Sequence, residues 1–426
     1  MLFTAAGGLL VASASQIMMG GKTSAIGAMI GLMTGTVSSA AGSNINAATI
    51  GAYPTSIIVD ERAAHAFVAN QEGMIQILDT RTGTLVQTVA IGGQRHSMAI
   101  DQHTGRLFVV NMTAEGIGTS VSVLDSHNGR LLRTTTSTIN PHGLTVDETE
   151  RLVFVGVKNG VTVLDAQTGT SLRTIRLPMQ GVPVWVKVDT QLKRLFVAHE
   201  GMTANGLMPI QGGISTVSTI DIRTGAVIHT ARVGVEPDLA VLNERTSRLF
   251  IVSRVDMTID VVNTHDGSII HKIPLHARSV PPDGIAMDTR AGRLILVSSG
   301  NGQGGIGYVT FLDAKVGSIL NTIAFSHYPW SVAVDERRAR AYVASNGGTH
   351  VLDTRTGAIL NVINAAGGMV ALDRRMQHLI VLGNITTDTH NSKVAWAQGL
   401  RRWVQELPHT SKQDSSIQAL TIDVSR

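Results

Sequence analysis

The side chains able to do chemistry in this sequence are histidines and carboxylates. His96, His142, Asp238 and Asp283 occupy one equivalent place in a recurring unit. An imidazole with its ordinary pKa of about 6.5 can take a proton at neutral pH. His96 or His142, with Asp238 or Asp283 nearby, could therefore serve a hydrolase or lyase such as a lactonase. The same groups suit a divalent cation, but no closely spaced ligand motif accompanies them. His199 and Glu200 are adjacent, which on a strand sends them to opposite sides. The chain has no Cys, which excludes thiolate metal sites, cysteine nucleophiles and disulfides. No Gly-x-Ser-x-Gly elbow, His-Glu-x-x-His pair, EF-hand loop or complete dinucleotide fingerprint occurs. Gly20-Gly21-Lys22-Thr23 imitates the end of a phosphate loop, but Gln16 stands where that loop requires Gly. No catalytic residue is assigned on these grounds.

These residues are positioned by short strands. From residue 51 on, one unit recurs. A first strand ends in Asp or Asn, as in Ile57-Ile58-Val59-Asp60, Val186-Lys187-Val188-Asp189 and Ala240-Val241-Leu242-Asn243. A second apolar strand follows a short turn, as in Leu107-Phe108-Val109-Val110-Asn111. A third strand ends in another Asp, as in Val123-Leu124-Asp125. A turn such as Thr80-Arg81-Thr82-Gly83 then starts the fourth. The Asp holds the turn through its backbone, and Gly supplies the positive φ. Four short strands in about 40–45 residues describe a β-propeller blade. Eight first strands and eight third strands are present, but only seven fourth strands follow them. Asn44–Ile50 matches Ile359–Ile363 and would complete the last blade. The expected fold is all-β, an eight-bladed propeller closed by this N-terminal strand, with seven blades as the alternative.

The units resemble the YVTN-type β-propeller repeat, seen in Leu107-Phe108-Val109-Val110-Asn111 and Ala341-Tyr342-Val343-Ala344-Ser345. The resemblance covers about residues 44–426 and implies an extracytoplasmic or cell-surface binding module. The Leu-Asp-x-x-x-Gly turns are also similar to those of quinoprotein dehydrogenases, which implies an oxidoreductase using pyrroloquinoline quinone (PQQ). This sequence lacks the Trp that closes their repeat after Gly83, Gly129, Gly169 and Gly225, and their neighbouring cysteines. No cofactor is therefore expected.

Loop lengths say which face carries function. The intervals Asp60–Asp79, Asp147–Asp165, Asn243–Asn263 and Asp335–Asp353 are 18–20 residues long. Those from Asp101 to Asp125, Asp189 to Asp221, Asp288 to Asp313 and Asp373 to Asp423 are 24, 32, 25 and 50. Every insertion falls between second and third strands of even blades, which implies a duplicated two-blade unit. Loops lengthening on a rigid scaffold build binding surfaces. The mouth on that face should be lined by Asn70, His96, Asn111, His142, His199, Asp238 and Asp283, with Glu200 and Arg254 a step outward. Trp185, Trp330, Trp396 and Trp403 lie on the same face. Within the largest insertion, at about 384–416, Trp396, Leu400, Trp403, Val404 and Leu407 follow a helical spacing that Pro408 stops.

Residues 1–42 differ from the rest. Lys22 is their first charge and Asp60 the next. Lys22, an apolar run from Ala25 to Met33 and Val37-Ser38-Ser39-Ala40 read as a signal peptide. A retained anchor, with membrane proximity, and a disordered tail are the alternatives. Residues 43–426 form the single propeller domain. The composition, with 43% apolar and 15% charged residues, suits many apolar strands and tight turns. A net charge of +4, with no Lys/Arg-rich run, excludes nucleic acid as an expected partner. The expectation is an exported module, extracytoplasmic, binding a protein, small molecule or glycan at the channel mouth without catalysis.

Overall fold

A computed structural model describes residues 45–51, 53–114, 117–136, 140–178, 183–200, 214–275, 281–300, 306–383 and 417–425. Thirty-two strands form eight separate four-stranded antiparallel sheets. Seven blades use four consecutive strands. Blade 1, for example, runs through Pro54–Asp60, His65–Asn70, Met74–Asp79 and Leu85–Ala90. The last blade orders its strands as Ile45–Ile50, Ile417–Asp423, His378–Gly383 and Met369–Asp373. Ile45 pairs with Ile422 and Ile50 with Ile417. The N-terminal strand therefore closes the ring, and the count is eight rather than seven.

Each second strand is buried along its length because its alternate residues enter two different interfaces. In blade 1, Ala66 and Val68 pack toward blade 8, whereas Phe67 and Ala69 pack toward blade 2. This double burial explains the continuous apolar runs in the sequence. Eight apolar clusters result, one per junction between neighbours. Phe154, Val163 and Ile175 of blade 3, for instance, meet Val186, Leu195 and Ile220 of blade 4. The cluster between blades 8 and 1 includes Ala48 and Ile50 of the closing strand.

The turn chemistry is repeated. Asp79 Oδ1 accepts from the Arg81 and Thr82 amides, and Asp165, Asp221, Asp313 and Asp353 act alike. Gly83 follows at φ +69°. In the first-to-second turn, Asp60, Asp101, Asp147, Asp189, Asp288, Asp335 and Asp373 are fully buried. Both sets of turns lie on one face, here called lower; the insertions and inter-blade connections share the upper face.

The two-blade period also marks the lower face. The residue after the first Asp or Asn is Glu61, Glu148, Glu244 and Glu336 in odd blades. Glu148 accepts from the Gln102 amide at 3.1 Å, Glu244 from Thr190 at 2.9 Å and Glu336 from Thr289 at 3.2 Å. Glu61 takes Arg374 Nε of blade 8 at 2.7 Å. Each odd blade thus holds the even blade before it.

Candidate functional site at the upper mouth

The upper ends of the inner strands bring the candidate catalytic groups to one rim, where most are already engaged. His96 is buried, with Nε2 3.0 Å from the Gly92 carbonyl and Nδ1 3.3 Å from Thr55 Oγ1. Its pKa is lowered by burial, partly offset by the Gly92 contact. Asp238 and Asp283, from blades 5 and 6, meet through Arg254. The guanidinium lies 3.7 Å from each carboxylate and donates to the Pro282 carbonyl at 2.9 Å. Asp283 also accepts the Ser299 amide at 2.7 Å. His142 is half-buried and its side chain makes no hydrogen bond among the described residues; burial pushes its pKa down to about 4. The nearest candidate to a free base is therefore a weak one at neutral pH.

The second-strand ends are less accessible than their position implies. Asn70 and Asn111 are each about 1% exposed. Asn70 Oδ1 accepts the Glu72 and Met74 amides, and Asn111 Nδ2 donates to Ser120 Oγ and Ser122 Oγ, both at 2.9 Å. These two side chains secure the upper loops from beneath. His199 is 2% exposed, and neither ring nitrogen has a well-formed hydrogen bond among the described residues, the Val197 backbone acting on it only weakly. Burial lowers its pKa to about 4. It faces Thr216 across the ladder, whose Oγ1 is likewise unpartnered. Glu200 continues the chain just outside it.

The aromatic candidates divide. Trp185 is buried in the junction of blades 4 and 5, and its Nε1–H donates to the Pro237 carbonyl at 2.5 Å. Trp330 is half-buried, its ring 6.2 Å from that of Tyr328 at a 39° tilt. Trp396, Trp403 and the expected helix of 384–416 lie outside the described residues, as does the segment 1–42.

Two features escaped sequence reasoning. Lys187, on the inner strand of blade 4, has its pKa lowered by burial. The other blades carry Ile58, Ala99, Thr145, Val241, Ala286, Ala333 and Ala371 at that place. Aligning the repeats would have singled it out. The other is an open cleft of about 590 Å³ between blades 1 and 2, lined by Gln71, Glu72, Gly92, Gly93, Gln94, Thr113, Ala114 and Thr119. Its walls come mostly from the second-to-third turns of blades 1 and 2 and the connection between the two blades, which carry no strand periodicity.

Among the described residues, no three His, Asp or Glu side chains converge to hold a metal ion. Nor is any described helix long and apolar enough to cross a membrane. No protein-family model matches the chain, and no curated protein matches it.

Proposed function

We infer that the propeller is an exported, non-catalytic binding module that takes a polar, hydroxyl-rich ligand such as a glycan on its upper face. The observation that carries this reading is the state of the candidate catalytic groups. His96 is bonded through both nitrogens, and Asp238 and Asp283 share Arg254. The cleft of blades 1 and 2 supports it. Gln71, Gln94, Thr113 and Thr119 offer amides and hydroxyls beside Gly92 and Gly93, where no side chain keeps a ligand from the backbone. Export rests on the sequence of residues 1–42 and on the resemblance to extracytoplasmic repeats.

Calorimetric titration with a panel of neutral and acidic oligosaccharides tests the reading. Gln94→Ala with Thr113→Ala should weaken any binding about tenfold or more, at roughly 1 kcal/mol per lost hydrogen bond, with the ligand recovered unchanged. Turnover of a lactone or glycan that disappears in His142→Ala would replace this reading with the hydrolase.

A further inference from the structure

The basic residues form no run in the sequence, yet the fold collects them on the lower face. The second residue after the first Asp or Asn is exposed in every blade. In blades 5, 6, 7, 8 and 1 it is Arg245, Arg290, Arg337, Arg375 and Arg62. These five blades are consecutive around the closed ring, so the arginines form one arc. None of the five is in an ion pair among the described residues; Arg62 donates only to the Gln102 carbonyl, at 3.4 Å. Arg223, Lys315, Arg355 and Arg81, exposed in the third-to-outer turns, extend positive charge farther out on the same face. Many of the carboxylates there turn inward, onto turn amides or a neighbouring blade.

Two independent features share this end of the molecule. The outer strands begin there, and early in them Val86, Leu172, Ile228, Ile270, Leu320 and Leu360 are between 40% and 56% exposed. Together they make an aliphatic collar around the basic face. The closing strand also begins there, because Ile45 pairs with Ile422 beside the last turn Asp. The chain that precedes it has no charge from Met1 to Gly21.

We propose that the lower face docks on an anionic lipid surface. Cations alone would suit an acidic protein or a nucleic acid equally well. Cations ringed by exposed aliphatic side chains match a bilayer interface, where charge meets headgroups and apolar groups enter the acyl boundary. Charge attraction and buried apolar area add in such binding, so the arc and the collar together hold where either alone is marginal. The upper cleft would then face away from the lipid. This proposal does not depend on the ligand assigned to that cleft.

The test is sedimentation of the full chain with vesicles of phosphatidylcholine alone or mixed with phosphatidylglycerol. Binding should be stronger to the anionic vesicles by at least a hundredfold, and salt should abolish the difference. Each exposed arginine contributes about fivefold. Changing Arg62, Arg245, Arg290, Arg337 and Arg375 together to Gln should return binding to its level on neutral vesicles. A control removes the same charge elsewhere, with Arg95, Lys158, Arg133, Arg176 and Arg232 changed to Gln, and should keep the preference. Equal loss in both variants, or no preference for anionic vesicles, would overturn the proposal. So would retention of heparin or poly-aspartate through the arc with no vesicle binding. Circular-dichroism melts of both variants separate loss of contact from loss of fold.

Discussion

At the scale of the residue, His142, His199 and His350 have consequences for pH. Burial holds all three at a pKa of about 4, with His350 further depressed by the nearby His327. An unfolded chain accepts these protons near pH 6.5, while the folded chain refuses them until about pH 4. Their contribution to stability is therefore full above about pH 7 and is lost as pH falls from 6.5 to 4. The carboxylates of Asp165 and Asp221, held below their ordinary range chiefly by hydrogen bonds within their turns, lose theirs only in more acidic solution. Melting temperature followed from pH 8 downward should begin to drop well before the carboxylates titrate. In His199→Leu part of that early drop disappears. The same variant should match or exceed the wild type at pH 7 by about 1–2 kcal/mol, because two buried nitrogens without well-formed hydrogen bonds are removed. A loss of stability there would show that His199 has a partner. Repeat position alone placed His142 and His199 at the upper mouth. Their burial was illegible, because it depends on what neighbouring blades set against them. His96 shows this directly, since Thr55 comes from the preceding blade.

At the scale of the element, the third and outer strands carry a polar pair in most blades. Ser122 Oγ and Thr134 Oγ1 are 3.1 Å apart, Ser218 and Thr230 3.2 Å, Thr310 and Thr322 3.3 Å, and Thr162 and Thr174 3.5 Å. In blade 5 the same place holds Asp260 and Lys272, 3.0 Å apart. Asp260 is wholly buried and also accepts the Gly234 amide at 2.9 Å. Lys272→Thr leaves that carboxylate without its cation and should cost roughly 1–3 kcal/mol in urea unfolding. Adding Asp260→Thr restores the hydroxyl pair found in blades 2, 3, 4 and 6 and should recover part of the loss. A double variant worse than the single would mean that the amide contact outweighs the ion pair. Strand order and turn type were legible from the Asp and Gly punctuation, since each unit forms its own hairpins. The Glu clasps of odd blades were not, because their partners lie in the preceding unit.

At the scale of the whole molecule, the closing strand is decisive. Ala48 and Ile50 are buried in the junction of blades 8 and 1. Deleting residues 43–50 exposes Ile417–Asp423 as an edge and should lower the melting point by about 10 °C or more, with self-association. An unchanged melt would mean that the ring does not need its latch. Counting strands made the closure legible. The arginine arc was invisible in the linear sequence, where its members lie about one repeat apart. The latch also imposes an order in time. Ile45 is made early, and its partner Ile422 only after nearly the whole chain. At about 5–20 residues per second, synthesis leaves the first strand waiting roughly 20–75 s for its mate. Until then blade 8 cannot assemble and the blades form an open arc with two uncovered apolar faces, those of blades 7 and 1. A nascent chain in this state exposes the apolar residues of two junctions to other copies of itself.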